Sequence, residues 1–323
     1  MTDFKSGFAS DLSNMITLKV SIGGSAETYL PRAKVFDTFC FAKYPDANEL
    51  SKALALEWLK TCMPSGNRFV NSQAAFLRGF AFYLRSIGKE AYHIPNRFMI
   101  GKDIFIPYLF TDTEMRDVFS AIDRFRCPRH PLLPLTLSTY FRLTYTCGLR
   151  PMEGRELKRN DVDLSTGEIQ IVNSKRHINR VVVMSHDMLS LMNRYIVALD
   201  TVSPDSDYLF PTAKGTPYTA AFMQKKFVGF FRTAYPDIPE EFLPSVRVYD
   251  LRHRFATAVL NKWLDAGMDI NARLSYLQTY MGHTNIESTA YYIHILPENI
   301  SKSPTIDWNC MGEIFPRAEL WAE

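Results

Sequence analysis

Apolar residues within the first 88 positions recur every three or four residues, a spacing typical of amphipathic helices. Turn-forming residues interrupt this pattern at Gly23-Gly24, Tyr44-Pro45-Asp46, Pro64-Ser65-Gly66 and Gly88. Four helices are therefore predicted in this part of the chain. In the last of them, at about residues 70–87, the apolar side chains that share one face are Phe69, Phe76, Phe80, Leu84 and Ile87.

The helical period is lost over residues 89–107, which contain two prolines and Gly101. A domain boundary is expected there, because 323 residues are about twice the length of a usual domain. The expected organisation is a helical domain over residues 1–100, a second domain over residues 108–300 and a C-terminal tail over residues 301–323.

The second domain changes from a helical pattern to an extended one and back. Thr111 or Asp112 can cap a first helix that has Glu114 in its first turn, and a further helix of about residues 134–147 ends at Gly148. Two β-branched runs at residues 168–172 and 180–184 predict a hairpin, and helical patterns return over residues 187–200, 218–234, 249–266 and 271–280. The expected fold class is mainly α with one small antiparallel β-sheet.

Composition excludes several classes of protein. With 46% hydrophobic and 22% charged residues, the chain is neither collagen, a coiled coil nor wholly disordered. No apolar run reaches the roughly 18 residues of a membrane-spanning helix, and the N-terminus lacks the apolar core of a secretory signal, so a cytoplasmic protein is expected. Five cysteines without close pairing indicate reduced, mostly buried thiols and no zinc site.

The net charge of +3 is unevenly distributed. Residues 1–107 contain 13 Lys and Arg against 9 Asp and Glu, an excess of +4, and the remainder of the chain has a net charge of −1. An anionic partner is compatible with this distribution but is not required by it.

Two candidate sites for anion chemistry lie around the predicted hairpin. Arg150 follows the helix stop at Gly148 and precedes a proline, where its guanidinium could be aimed rigidly at a phosphate. The structural alternative is an ion pair of Arg150 with Glu153 or Glu156. Lys175 lies at the hairpin tip and could donate a proton, or it could be an ordinary solvated lysine.

Two further candidates lie near the C-terminus. Tyr249 and Arg252 are three residues apart at a helix start, so both could face one ligand, although capping and ion pairing would explain them equally well. Gly282 ends a helix before His283, and Tyr292 follows nine residues later in a pair with Tyr291. Each of these groups could also be structural.

Taken in order, the four segments resemble the tyrosine recombinase or phage integrase family. GLRPMEG resembles the family's first-arginine motif, and SKRHINRVVV resembles the hairpin that carries the lysine. YDLRHRFAT resembles the second-arginine motif, HxLRHTFAT. YMGHTNIESTAYYIHI resembles the last motif, in which LGH is followed by a tyrosine nine residues later. The resemblance spans residues 108–298. FIPYLFTDTEM and LSYLQTYMGH are most similar to recombinases of transposons and related mobile elements.

The resemblance implies a two-domain clamp on duplex DNA, with a helical core-binding domain and a catalytic domain. The implied catalytic residues are Arg150, Lys175, Tyr249, Arg252, His283 and Tyr292, with Glu153 and His253 supporting them. Tyr292 would attack a DNA phosphate and form a 3′-phosphotyrosine, the arginines and His283 would bind its oxygens, and Lys175 would protonate the leaving 5′ oxygen. No metal or other cofactor is expected.

The implied partner is double-stranded DNA at specific recombination sites, bound by a homotetramer on two sites in a bacterial nucleoid. Residues expected to contact DNA are Arg180 and, in the first turn of the fourth helix, Asn67, Arg68 and Asn71. The tail is expected to dock on a neighbouring protomer or on its own domain.

One residue departs from the family pattern. Position 249 is Tyr where the family usually has His or Lys, and a phenol can donate a hydrogen bond but is a poor proton acceptor at neutral pH. Two alternatives stay open: a non-catalytic DNA-binding accessory protein of the same fold, of which Tyr249 would be the sign, and a type IB topoisomerase-like enzyme that relaxes supercoils by the same phosphotyrosine chemistry.

Overall fold

The structure is a computed structural model that describes residues 4–95, 101, 107–172 and 179–294. The chain divides into two compact units, Met1–Ile106 and Pro107–Glu323. The division falls at the end of the segment that has no helical period in the sequence. None of the helices in the described ranges is long and apolar enough to cross a membrane.

The first unit is built from helices. They are α1 (Ala9–Ser21), α2 (Ala26–Lys43), α3 (Lys52–Cys62) and α4 (Asn67–Ser86), with a short 3₁₀ turn at Met63–Ser65. The four helices predicted from the apolar period and the turn signals are confirmed.

Aromatic side chains form the centre of the first unit. The ring centroid of Phe36 on α2 lies 6.0 Å from those of Phe8 and Phe80 and 5.9 Å from that of Trp58 on α3. These rings are at most 4% exposed, so helices α2, α3 and α4 are joined through one aromatic core.

Helix α4 buries one face in this core. Phe76, Phe80 and Leu84 are buried as predicted, whereas Ile87 lies past the end of the helix and is 47% exposed. At the other end, Asn67 and Arg68 in the first turn are exposed to solvent.

The second unit contains eight helices in its described part. They are α5 (Asp112–Arg124), α6 (Leu133–Thr146), α7 (Pro151–Glu156), α8 (His186–Val202), α9 (Ala220–Ala234), α10 (Val248–Asp265), α11 (Ile270–Met281) and α12 (Glu287–His294). Strands β1 (Glu168–Ile171) and β2 (Arg180–Val183) lie between α7 and α8 and pair antiparallel. Every helix and strand predicted here is present, to within a few residues.

The start of α5 shows why the sequence predicts its position so well. The Thr111 hydroxyl accepts a hydrogen bond from the Glu114 backbone N–H at 3.2 Å, and the Glu114 carboxylate accepts one from the Thr111 backbone N–H at 2.8 Å. This reciprocal cap satisfies two N–H groups that a helix terminus otherwise leaves unpaired.

Helix α6 lies in the core of the second unit and contacts α5, α8 and α10. A smaller apolar cluster joins the last three helices; it consists of Ala256, Leu260, Leu274, Leu277, Met281 and Tyr292. Tyr292 is thus packed in a hydrophobic environment that α10, α11 and α12 build together.

The cysteines agree with the expectation of reduced thiols. Cys40, Cys62 and Cys147 are free and buried, and Cys127 is free and half-buried. Cys310 lies outside the described residues.

Candidate active site

A cavity of about 530 Å³ in the second unit brings together residues that are far apart in the sequence. Its lining includes five of the predicted site residues, namely Arg150, Tyr249, His253, His283 and Tyr292. They come from the start of α7, the start of α10, the turn after α11 and helix α12. Tertiary folding therefore gathers most of the predicted constellation at one place.

Arg150 reaches this cavity because the chain turns sharply after α6. Gly148 has a φ of +59°, and a Cβ at this position would lie 2.4 Å from the ring of Phe255, so both conformation and space favour glycine. Arg150 then caps α7: its backbone N–H donates to Glu153 at 2.8 Å, and its guanidinium donates to Glu153 at 2.7 Å and to the Gly282 carbonyl at 2.6 Å. The side chain is held rigidly and stays 14% exposed.

Glu153 is the buried anion beneath the site. Its carboxylate accepts two hydrogen bonds from Arg180, at 2.9 and 2.8 Å, besides those from Arg150. Burial by itself raises the pKa of Glu153, but the hydrogen bonds and charges of Arg180 and Arg150 outweigh it and lower the pKa to about 2. The Glu153 carboxylate thus orients two arginines, Arg150 and Arg180, which gives its predicted supporting role a structural basis.

The expectation that Arg180 contacts DNA needs correction. Its side chain is only 4% exposed, and its Nε–H donates to the Tyr280 carbonyl at 2.8 Å while both terminal nitrogens bind Glu153. Because the side chain is buried and held by these acceptors, it is not placed to contact a phosphate at the surface. Arg180 instead links strand β2 to helix α11.

Arg252 is fully buried and contacts His283, which lines the cavity. Its guanidinium donates to the carbonyls of Gly148 and Met281, and Nη2 lies 3.1 Å from His283 Nε2. Burial, with the nearby charge of Arg150, lowers the pKa of Arg252 to about 10, so it remains cationic at neutral pH. Its Nε–H is buried without a hydrogen-bond partner among the described residues.

His283 follows Gly282, which ends α11 in the left-handed region with a φ of +63°. A guanidinium has only N–H donors, so His283 Nε2 accepts from Arg252 and Nδ1 carries the proton, which it donates to the Thr289 hydroxyl at 2.8 Å. Burial and the charges of Arg252 and Arg150 lower the pKa of His283 to about 3. In this state the ring is neutral, and its Nε2 cannot donate to a phosphate as the sequence had suggested.

Tyr292 is the more buried of the two neighbouring tyrosines. It is 2% exposed and its ring stacks on that of His283, with centroids 6.1 Å apart and planes at 17°. Burial raises the pKa of Tyr292 to about 12, against the opposing effect of Arg252. Tyr291 is 38% exposed, because a step of about 100° along α12 turns it away from the small core.

Tyr249 and His253 lie one turn apart on α10, at the cavity. Their ring centroids are 5.1 Å apart, and the ring of His253 is 5.5 Å from that of Tyr292. Tyr249 is 36% exposed, so its hydroxyl is accessible to a ligand in the cavity. Both predicted residues are therefore close to the candidate nucleophile.

The other predicted residues are not among the described residues that line the cavity. Lys175 lies outside the described residues. Asn67, Arg68 and Asn71 lie in the first unit, the last of them half-buried and the others exposed. No group of three or more His, Cys, Asp or Glu side chains within the described ranges is placed to hold a metal ion.

The acceptors that position these groups are not evident from the sequence. Thr289 is fully buried and binds His283, and the carbonyls of Gly148, Tyr280, Met281 and Gly282 bind arginines. Residue type does not reveal which backbone carbonyls will accept a hydrogen bond. Thr289 offered only a weak signal, its place three residues before Tyr292 on the same helix.

A sequence model of the phage integrase family matches residues 110–299, more than half of the chain. The chain belongs to the phage integrase family. This integrase-family chain is 27% identical over 296 residues to the putative integrase/recombinase y4rE of Sinorhizobium fredii, covering 91% of this chain and 93% of that protein.

Solved structures agree on the fold of this phage integrase family member. The Tn1549 transposon integrase in complex with transposon right end DNA has a TM-score of 0.62 at 19% identity, covering 87% of this chain and 94% of that one. The XerH site-specific recombinase bound to palindromic difH substrate has a TM-score of 0.64 at 15% identity, covering 96% and 92%. The predicted fold class, mainly α with a small antiparallel sheet, is confirmed.

Proposed function

We propose that this chain is a site-specific DNA recombinase that cuts and rejoins duplex DNA through a 3′-phosphotyrosine intermediate. The observation behind the proposal is the convergence of Tyr292, Arg150 and His283 around one cavity, with Arg252 in contact with His283. A nucleophilic phenol beside two rigidly held guanidinium groups suits attack on a phosphodiester, whose transition state spreads negative charge over nonbridging oxygens. Family membership supports the same chemistry.

The reaction begins when Tyr292 Oη bonds to the phosphorus of a DNA backbone phosphate and the bond to the 5′ oxygen breaks. The covalent phosphotyrosine conserves the energy of the phosphodiester, so rejoining needs no nucleotide cofactor. A 5′ hydroxyl of the partner strand then attacks the phosphotyrosine. Repetition on the second pair of strands completes recombination.

The arginines supply the charge for this reaction. Arg150 is partly exposed at the cavity, and the buried Nε–H of Arg252, which has no partner in the described ranges, is a donor that a phosphate oxygen would satisfy. Donors already positioned in this way typically contribute several kcal/mol to stabilisation of the transition state. Because Arg150 and Arg252 bind protein carbonyls, both guanidinium groups are already oriented before DNA binds.

His283 has a role that depends on DNA. A bound phosphate brings negative charge to the cavity and raises the pKa of the ring. Once doubly protonated, His283 donates from Nε2 to a nonbridging oxygen while Nδ1 keeps its bond to Thr289. Without DNA, the neutral ring accepts from Arg252 instead.

Two further steps complete the proposal. Lys175, assigned by its place in the hairpin motif, protonates the leaving 5′ oxygen. Tyr292 is 2% exposed, so helix α12 has to shift before the hydroxyl can reach a phosphate. Cleavage is therefore coupled to a movement of α12 on DNA binding.

The rest of the chain would serve DNA binding and assembly. Residues 1–100 form the core-binding domain, with Asn67, Arg68 and Asn71 facing DNA, and residues 108–300 form the catalytic domain. Residues 301–323 dock on a neighbouring protomer in a homotetramer that holds two DNA sites. The protein acts on a bacterial nucleoid in the cytoplasm, as part of a mobile element.

Trapping of the covalent adduct tests this function. The protein is incubated with duplex fragments that flank its own gene, denatured, and the DNA attached to it is sequenced. We expect one defined cleavage position joined through its 3′ phosphate, and no adduct with Tyr292→Phe. Absence of any adduct with the unaltered protein contradicts the proposal and favours the accessory DNA-binding protein, an alternative for which Tyr249 is the specific sign.

The products separate the recombinase from a topoisomerase-like enzyme, since both form the same phosphotyrosine. Holliday junctions and recombinant molecules from two marked sites are expected of a recombinase. Relaxed plasmid without strand exchange would identify a relaxing enzyme.

A further inference from the structure

The nucleophile in this cavity needs a proton acceptor, and position 249 does not supply one. Burial raises the pKa of Tyr292 to about 12, so its hydroxyl is protonated at neutral pH. Tyr249, the residue that departs from the family pattern, carries a phenol where the family usually has His or Lys, and phenols in general are poor proton acceptors at neutral pH. Another group has to take the proton if Tyr292 is to attack.

His253 is placed to do so. It lies one helical turn after Tyr249 on α10, its ring centroid is 5.5 Å from that of Tyr292, and it lines the same cavity. Its Nδ1 is buried without a hydrogen-bond partner among the described residues, so the ring is not committed to another contact through that atom. Hydrogen bonds of catalytic bases commonly tighten only when substrate is bound.

The other histidine at the cavity is less suitable. Both nitrogens of His283 already have partners, Arg252 at Nε2 and Thr289 at Nδ1. Accepting a proton from Tyr292 at Nε2 would replace the bond from Arg252, and Nδ1 already carries its proton. His253 has the more available lone pair.

We propose that His253 is the catalytic base that removes the proton of Tyr292, an assignment that rests on the recombinase function proposed above. The Tyr292 O–H bond breaks and its proton forms an N–H bond at an imidazole nitrogen of His253. The phenolate oxygen bonds to phosphorus, the bond from phosphorus to the 5′ oxygen breaks, and that oxygen takes a proton from the general acid of the reaction. In the rejoining step the two protons return.

The electrostatic surroundings keep this base unprotonated before DNA binds. Burial, with the charges of Arg247 and Arg252, lowers the pKa of His253 to about 4. The titratable groups that face it are Tyr249, Arg247 and Arg252 on its own helix, Tyr292 on α12 and His283 after α11. The phosphate of bound DNA adds negative charge and raises the proton affinity of the ring when it is needed.

Chemical rescue tests the assignment. Adduct formation is measured in single turnover at saturating DNA, with the fragment identified by trapping, for the unaltered protein, His253→Ala and His253→Gln. We expect both variants to bind DNA normally and to form the adduct about 100- to 10,000-fold more slowly, the usual contribution of a general base. His186→Ala, a change at an exposed histidine of α8, is the matched control and should retain full activity.

Added imidazole should restore adduct formation by His253→Ala, with a rate that rises with pH as imidazole loses its proton. Pyrazole has the same size but is a much weaker base and should not restore it. Equal rescue by pyrazole, or wild-type rates in His253→Gln, would overturn the assignment while leaving the recombinase function intact. If the unaltered protein forms no adduct, it is the proposed function that fails.

Discussion

Arg252 Nη2 and His283 Nε2 lie 3.1 Å apart, on side chains separated by 31 positions in the sequence. The contact makes His283 Nε2 a hydrogen-bond acceptor and so places the ring proton on Nδ1. This Nδ1–H donates a hydrogen bond to the Thr289 hydroxyl. Arginine, histidine and threonine thus form one partly buried chain of hydrogen bonds from helix α10 to helix α12. Because α12 also contains Tyr292, this chain joins the phosphate-binding groups to the nucleophile.

Replacing Thr289 by Val should weaken this connection. The valine has a similar volume but no acceptor for the His283 Nδ1–H, and an unsatisfied buried donor costs about 1–3 kcal/mol. We expect the free energy of unfolding, measured by urea denaturation, to fall by that amount and adduct formation to slow. Thr289→Ser should keep most of both, and Thr279→Val, at an exposed hydroxyl, should change neither. A stable and fully active Thr289→Val would contradict the role of the bond.

Glu153→Gln should destabilise the second unit. The change leaves the buried Arg180 without its carboxylate, and loss of one partner of a buried ion pair typically costs about 3–5 kcal/mol. Glu156→Gln, at a side chain that is 51% exposed, is the matched control and should cost little. Urea denaturation at pH 7 measures both.

The lowered pKa of the Glu153 carboxylate also predicts how the stability of the protein depends on pH. The pKa of Glu153 falls from 4.5 to about 2 on folding, so its contribution is complete above pH 4.5 and is lost as the pH falls towards 2. The shift corresponds to roughly 3 kcal/mol. Between pH 5 and 3 the unaltered protein should therefore lose more of its free energy of unfolding than Glu153→Gln does, and parallel curves would contradict the low pKa.

Tyr292→Phe should abolish the covalent adduct and leave DNA binding intact, because only the attacking hydroxyl is lost. Tyr291→Phe removes an identical group from the neighbouring, more exposed position and should still cleave. Denaturing gels with labelled DNA compare the two. Cleavage by Tyr292→Phe but not by Tyr291→Phe would show that Tyr291 is the nucleophile.

Tyr249→Phe should slow adduct formation about 10- to 150-fold, the loss expected when a hydrogen bond of roughly 1.5–3 kcal/mol to a charged phosphate disappears. Tyr249→His restores the usual family residue and should keep much of the activity. Rates at saturating DNA exclude differences in binding. A fully active Tyr249→Phe would mean that the ring only packs against its neighbours on α10.

Lys175→Ala should slow cleavage of an ordinary phosphodiester far more than cleavage of DNA with sulfur at the 5′ bridging position. A thiolate leaves without protonation, so the sulfur substrate no longer needs a general acid. Equal defects on both substrates would indicate that Lys175 binds or positions DNA and does not donate the proton.

Local patterns in the sequence determined the elements of this protein. The cap at Thr111, the stops at Gly148 and Gly282 and the β-branched strands all act within a few residues, so they could be read without the fold. Motif spacing also identifies five of the residues that line the cavity, namely Arg150, Tyr249, His253, His283 and Tyr292.

Tertiary structure decided what each of these groups touches. The sequence predicts that Arg180 contacts DNA, yet folding places it against Glu153 and the Tyr280 carbonyl. Of the two neighbouring tyrosines, Tyr292 is the one buried beside Arg252. Contacts with Arg252 and Thr289 likewise decide which ring nitrogen of His283 carries the proton. Burial, tautomer and pKa depend on atoms brought together from distant parts of the chain, and residue spacing contains no information about those distances.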